Sequence, residues 1–158
     1  MSNWYYCATG GSGAGYHAKI IITETGEYGL SVGSGGTGRG GARGETASGT
    51  NASASTITKG NTTLISAGGG TAAAASSVGS GGVLTKDSSL IEDTVYTSAN
   101  GQSGNRGSTY ASGRAGPISG HTWGGSGNAS GSSAGGGADS SYHGYIMIKY
   151  VGPLPDES

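Results

Sequence analysis

Apolar residues in this chain come in short runs near its two ends, and between them the pattern dissolves into glycine, serine and alanine. Trp4-Tyr5-Tyr6-Cys7 is an aromatic run that stops at Gly10-Gly11. Ala18 to Thr23 holds Ile20-Ile21-Ile22, and Glu24-Thr25-Gly26-Glu27 then reads as a turn. Tyr28, Leu30 and Val32 alternate with Gly29 and Ser31, the period-two pattern of a strand, and predict the second arm of a hairpin with the isoleucine run. A second hairpin is expected around Lys59-Gly60-Asn61, between Thr56-Ile57-Thr58 and Thr62 to Ser66. Gly144 to Tyr150 gives the strongest strand signal, Leu90 to Thr97 a weaker one, and Pro153 and Pro155 mark a tail. Ala72 to Ala75 is the one good helical stretch, and it is too short to stand alone.

The glycines carry a pattern of their own. Gly35, Gly38, Gly41 and Gly44 fall every third residue, as do Gly101, Gly104, Gly107, Gly113 and Gly116, with Tyr110 in the missed slot. A left-handed helix of the polyproline II type has about three residues per turn, so such glycines would line one edge, where another backbone can approach. Such helices make no internal hydrogen bonds, and their amides must find neighbouring chain segments. Proline would give the same helix without a donor, which favours glycine.

Composition sharpens this. Glycine supplies 36 of 158 residues and proline only 3, which excludes collagen. Leu, Ile and Val together number 19, with no Phe. That is below the roughly 20% at which disorder is suspected, but disorder also wants high net charge, and the formal charge is -1. A flexible Gly/Ser linker fits the composition as well. Ordering a residue costs about 1–2 kcal/mol, and glycine most, so in an ordered chain the glycine runs need backbone hydrogen bonds and close backbone contact rather than side-chain burial. The expected fold is mostly non-helical: short β-strands and hairpins joined to a bundle of polyglycine II helices in a single compact domain, 1–152, followed by a tail, 153–158.

Several functions lose support. Near-neutral charge gives no electrostatic case for nucleic acid or anionic membranes, and no apolar run approaches the roughly 20 residues of a membrane span. The opening MSNWYYCATGG lacks the basic and apolar regions of a signal peptide. Cys7 is alone and reads as a small buried hydrophobe. Gly33-Ser34-Gly35-Gly36-Thr37-Gly38 matches the dinucleotide fingerprint, but the Arg39 to Gly44 sequence after it cannot open the required helix. His17, His121 and His143 are scattered without a metal-ligand spacing. Asp87, Glu92 and Asp93 read as a solvated loop rather than as a carboxylate pair. No cofactor, metal or catalytic role is expected. What remains is a set of amphipathic residues in or beside glycine-rich turns: Arg106, Tyr110, Arg114, His121, Trp123, Tyr142 and His143. Tyr, Trp and Arg are the usual binding hot spots, and aromatic faces also stack on sugars. Capping of the bundle edge by Tyr110 and Trp123 is the competing role.

The order of landmarks resembles the glycine-rich domain at the carboxyl ends of many bacteriophage and prophage tail-fibre proteins. It runs from an aromatic strand into a Gly-Gly turn (Trp4 to Gly13), through a strand into V-G-x-G-G-x-G (Val32 to Gly38). The middle is A-S-A-S-T-I-T-x-G-x-T-x-L-x-S-A-G-G-G (Ala52 to Gly70), and the end is G-Y-I-x-I-x-Y (Gly144 to Tyr150). The style is similar to the glycine-rich region of anaplastic-lymphoma-kinase-type receptors and, more loosely, to glycine-rich antifreeze proteins. The resemblance implies a polyglycine II bundle displayed at a fibre tip in the virion. It implies binding to a bacterial surface glycan or outer-membrane protein, attachment to a fibre shaft or other virion protein, and a possible homotrimer. A structural virion or filament subunit self-associating through glycine-rich faces is the alternative. An ice-binding protein is the third reading, disfavoured by irregular spacing.

Overall fold

A computed structural model describes residues 7–8, 10–21, 25–37, 41–42, 49–73, 77–88, 92–104, 106–107, 129–132, 135–138, 144 and 146–149. Among these there is no helix, and the chain is built of antiparallel strands. Two main sheets are formed by β2 (Gly15–Ile21), β3 (Tyr28–Ser31), β5 (Ser55–Lys59), β6 (Thr62–Ala67), β7 (Leu84–Lys86) and β8 (Glu92–Ala99). The other strands are β1 (Cys7–Ala8), β4 (Gly41–Ala42), β9 (Arg106–Gly107), β10 (Ala129–Ser132) and β11 (Gly135–Ala138). One sheet has the order β3-β5-β6-β7, a second is the pair β2-β8, and the other strands form β1-β9 and β10-β11-β4.

The second expected hairpin is present. Lys59 pairs with Thr62 across Gly60-Asn61, and Gly60 has φ +55 while Asn61 does not have positive φ. Positive φ at the first central residue alone is the type II′ signature, where glycine is the residue without a steric cost.

The first expected hairpin is not. β2 pairs with β8, and β3 pairs with β5 instead. Burial explains the choice. Along β2, Tyr16, Ala18 and Ile20 are half-buried and His17, Lys19 and Ile21 exposed. Tyr16 and Ile20 pack on Leu64 and Ile65, the two buried hydrophobics among the described residues, at 7% and 5% exposure. In one layer with β3, that face of β2 would have nothing to cover; in a second layer with β8 it covers the larger sheet.

Leu64 and Ile65 are consecutive, yet both are buried. A regular strand would send them to opposite faces. The register shifts here: Ile57 faces Ile65 while Thr58 faces Thr63, so Leu64 is the extra residue of a bulge. The Leu64 carbonyl is taken up by the Asp87 N–H at 2.9 Å. Tyr28, Ile57 and Leu84 also pack against this core.

The run at Gly144 to Tyr150 departs from expectation. Residues 146–149 lie outside the strands, and Met147 and Ile148 are exposed. The alternation there meets no ladder among the described residues. The weaker signal at Leu90 to Thr97 is realised as β8.

Candidate binding surface

Each main ladder runs on, in unchanged register, into glycine-rich chain. Past the Ser31–Thr56 pair, the Ser53 N–H donates to the Ser34 carbonyl and the Thr50 N–H to that of Thr37, each at 3.0 Å. Past Ala67–Leu84, Gly68 donates to Val83 and Thr71 to Ser80, each at 2.9 Å. Past Ser55–Ala67, Ala52 donates to Gly70 at 3.0 Å. Past Gly15–Ala99, Ser12 donates to Gln102 at 2.9 Å. The bonds now recur every third residue, whereas a pleated ladder repeats every second.

The spacing between layers changes too. Where Tyr16, Ile20, Leu64 and Ile65 intervene, side chains hold the sheets apart, typically by about 10 Å. Beyond them the side chains shrink to glycine, and the layers bond backbone to backbone. Gly11 donates to Thr71 at 2.9 Å, while Ala14 to Gly68, Gly82 to Ser12, Gly101 to Gly82 and Gly104 to Gly79 are each 2.8 Å. Segment 10–14 therefore bonds to three others, 68–72, 78–83 and 100–104.

A Cβ on Gly11, Gly70, Gly79, Gly81, Gly82 or Gly101 would collide with the carbonyl of Ser80, Gly11, Thr71, Gly101, Gly68 or Ser12 respectively. Among the described residues only Gly26 and Gly60 have positive φ, so these glycines are needed for the missing side chain and not for an unusual backbone. The expected three-residue spacing begins at a different residue in the first run. Gly33 and Gly36 are the positions that abut the Ser53 and Thr50 carbonyls, because the segment enters from β3 with its register already set. Gly41 lies in β4 and Gly107 in β9, and Gly38, Gly44, Gly113 and Gly116 lie outside the described residues.

Of the candidate binding residues, Arg106 is in β9, where it pairs with Ala8 of β1. Tyr110, Arg114, His121, Trp123, Tyr142 and His143 lie outside the described residues. Their stretches are bounded by described backbone. The 108–128 stretch, carrying four of them, leaves from β9 and returns at β10, and β1 contacts both. The 139–143 stretch runs from β11 to Gly144, whose N–H donates to the Gly33 carbonyl at 3.0 Å. Comparison with family models, curated proteins and solved structures gives no match to this chain.

Three amides of the Gly33 to Gly38 fingerprint are engaged elsewhere. Gly33 N–H donates to Ser55 Oγ at 2.9 Å, Ser34 N–H to Ser53 Oγ at 2.8 Å and Thr37 N–H to Thr50 Oγ1 at 2.9 Å. Two pentapeptides, Gly29 to Gly33 and Gly131 to Gly135, have the G-x-S-x-G spacing of a hydrolase nucleophile elbow. Ser31, at the centre of the first, sits in β3 opposite Thr56 and not on a strand-to-helix turn; Ser133 lies outside the described residues. Among the described residues no three His, Cys, Asp or Glu side chains gather, and no helix is long and apolar enough to cross a membrane. Glu92 and Asp93 are in β8, paired with Ile21 and Ile20, and Asp87 follows β7, so they do not form the single loop expected from sequence. Sequence reasoning overlooked the side-chain acceptors between segments, Ser12, Thr50, Asn51, Ser53, Ser55, Thr71 and Asn100. The i, i+3 spacing of Thr50 and Ser53 was the available signal.

Proposed function

We propose that the glycine-rich segments form a polyglycine II bundle, and that the chain is a non-enzymatic receptor-binding module of the kind borne at the tip of a bacteriophage tail fibre. The observation that carries this is the hydrogen bonding of segment 10–14 to three neighbours, within a set of segments bonded at three-residue intervals. A pleated strand turns its amides alternately to two sides. A three-fold helix turns them by about 120° at each residue and so accommodates three neighbours. A bundle of that kind is what the resemblance to tail-fibre domains implies. Its use as a scaffold follows from its rigidity: loops held at both ends lose less conformational freedom when they bind. The stretches so bounded carry Tyr110, Arg114, His121 and Trp123, and Tyr142 and His143. Their partner is a bacterial surface glycan or outer-membrane protein, and the module is mounted on a fibre shaft or another virion protein.

Adsorption to host cells tests this. Tyr110→Ala, Trp123→Ala and Tyr142→Ala, made singly, are compared with the parent by cell adsorption and thermal melting. At least one variant loses roughly thirty-fold in affinity, about 2 kcal/mol, with an unchanged melting temperature. A parent chain that adsorbs to no cell or envelope fraction would overturn the reading. A self-associating structural subunit is the second reading. Leu30 and Val32, 52% and 55% exposed on and just after end strand β3, favour it, since exposed apolar edge strands promote association. Sedimentation at rising concentration tests the self-association, and adsorption to host cells separates the two readings.

A further inference from the structure

We propose that the hydroxyls of Ser12, Thr50, Ser53 and Thr71 stand in for backbone carbonyls, and that this exchange lets a two-layer β-sandwich continue as one hydrogen-bonded lattice. In an antiparallel ladder, a hydrogen-bonded residue pair exchanges two bonds, one in each direction. Four pairs here make only one of the two with backbone groups: Ser12 donates to Gln102, Thr71 to Ser80, Thr50 to Thr37 and Ser53 to Ser34. The return bond ends on a hydroxyl in every case. Gln102 N–H donates to Ser12 Oγ at 2.8 Å, Ser80 N–H to Thr71 Oγ1 at 2.7 Å, Thr37 N–H to Thr50 Oγ1 at 2.9 Å and Ser34 N–H to Ser53 Oγ at 2.8 Å. The residue whose amide donates is always the one whose hydroxyl accepts.

In two pairs the released carbonyl has a visible new partner. The Ser12 carbonyl accepts the Gly82 N–H, and the Thr71 carbonyl accepts the Gly11 N–H. Both bonds cross between the layers. A carbonyl engaged in its own ladder points along the sheet; a hydroxyl adds two acceptor lone pairs to the same residue and leaves the carbonyl to turn toward the other layer. Solvent-filling by surface hydroxyls does not account for the geometry, because Ser12 is 1% exposed and makes the same bond as the exposed Thr50, Ser53 and Thr71. Asparagine repeats the device one position away. Ala52 donates to the Gly70 carbonyl while Ala72 N–H donates to Asn51 Oδ1; Gly101 donates to the Gly82 carbonyl while Leu84 N–H donates to Asn100 Oδ1. The serine and threonine diluting the glycine runs thus have a place in the lattice that alanine could not fill.

Residue-resolved amide hydrogen exchange on the full chain tests the exchange of acceptors at a distance from the altered side chain. In Thr71→Val the Ser80 N–H recaptures the Thr71 carbonyl, and the Gly11 amide in the other layer exchanges at least tenfold faster, while Ile57 in β5 is unchanged. Thr71→Ser keeps the parent rate at Gly11. Faster exchange at Ser80 with no change at Gly11, or no change at either, would overturn the proposal. If Thr71→Val does not fold, Thr71→Ser decides: folding with the parent Gly11 rate supports the role of the hydroxyl, and failure to fold assigns the effect to side-chain size and overturns it.

Discussion

Replacing Gly82 by alanine adds one methyl group where segment 78–83 meets three others. Gly82 donates to the Ser12 carbonyl and accepts from the Gly101 N–H, each at 2.8 Å, and the new Cβ would lie against the Gly68 carbonyl, a backbone group with no rotamer to escape into. Gly82 has no positive φ, so alanine is conformationally permitted, and restriction of the unfolded chain favours the variant by about 0.4–1 kcal/mol. Relief of the collision requires segment 78–83 to move away from 68–72. That stretches the two Gly82 bonds and the Gly68-to-Val83 bond, each worth about 1 kcal/mol net. The net expectation is about 2–3 kcal/mol of destabilisation, or roughly 4–12 °C in melting temperature for a chain of this size. Urea unfolding gives the free energy and calorimetry the melting temperature. Ser103→Val, at an exposed position, is the control and stays within about 0.5 kcal/mol of the parent. A Gly82→Ala chain as stable as the parent, or more so, would mean that the segments do not approach as closely as described and would refute the reasoning.

Gly60 tests the opposite property, because nothing lies within 4 Å of its added Cβ but its φ is +55. Gly60→Ala costs about 1–2 kcal/mol by urea unfolding, and a neutral result would argue against the turn type assigned. In the side-chain core, Leu64→Ala or Ile65→Ala costs about 2–5 kcal/mol on the same measure, and a value under 1 would mean that the core contributes little.

The strands were readable where two rules agreed. Thr56 to Ser66 combined strand-forming residues with Gly60-Asn61, and both hairpin and turn followed. Tyr28 to Val32 was recognisable as a strand, but its partner was not, because period-two alternation reports a buried face and says nothing about which strand lies beside it. The β2 partner was decided by what Tyr16 and Ile20 could cover, a fact that depends on Leu64 and Ile65 far along the chain. The bulge that buries both of those residues left no trace in the hydrophobic pattern. The three-residue glycine spacing was legible, and Gly101 and Gly104 bond to Gly82 and Gly79 in that rhythm. Its start at Gly33 depended on the β3–β5 register and could not be read from spacing alone. Of the candidate binding residues, the sequence supplied the residue types, and the described backbone adds only Arg106 and the anchoring of the stretches that carry the others.

The change from sandwich to lattice follows from a gradient of side-chain size along continuous segments. β6 passes from Leu64 and Ile65 through Ser66 and Ala67 to Gly68, Gly69 and Gly70, and β2 passes backward from Tyr16, its last large side chain, to Gly15, Ala14 and Gly13. Large side chains set the gap between layers at one end, and their loss closes it at the other. Closure brings two rows of carbonyls and amides into reach across the layers, and a segment then has more neighbours than a pleated ladder can serve. The hydrogen bonds there recur at three-residue intervals, and at four residue pairs one ladder amide goes to a hydroxyl instead of a carbonyl. Ser12 and Thr71 stand at two such places, each on a glycine-flanked segment, and each returns an acceptor through its hydroxyl. A chain with 19 large aliphatics can therefore hold segments 10–14, 68–72, 78–83 and 100–104 by backbone contact, provided the side chains that remain there are small and able to accept a hydrogen bond.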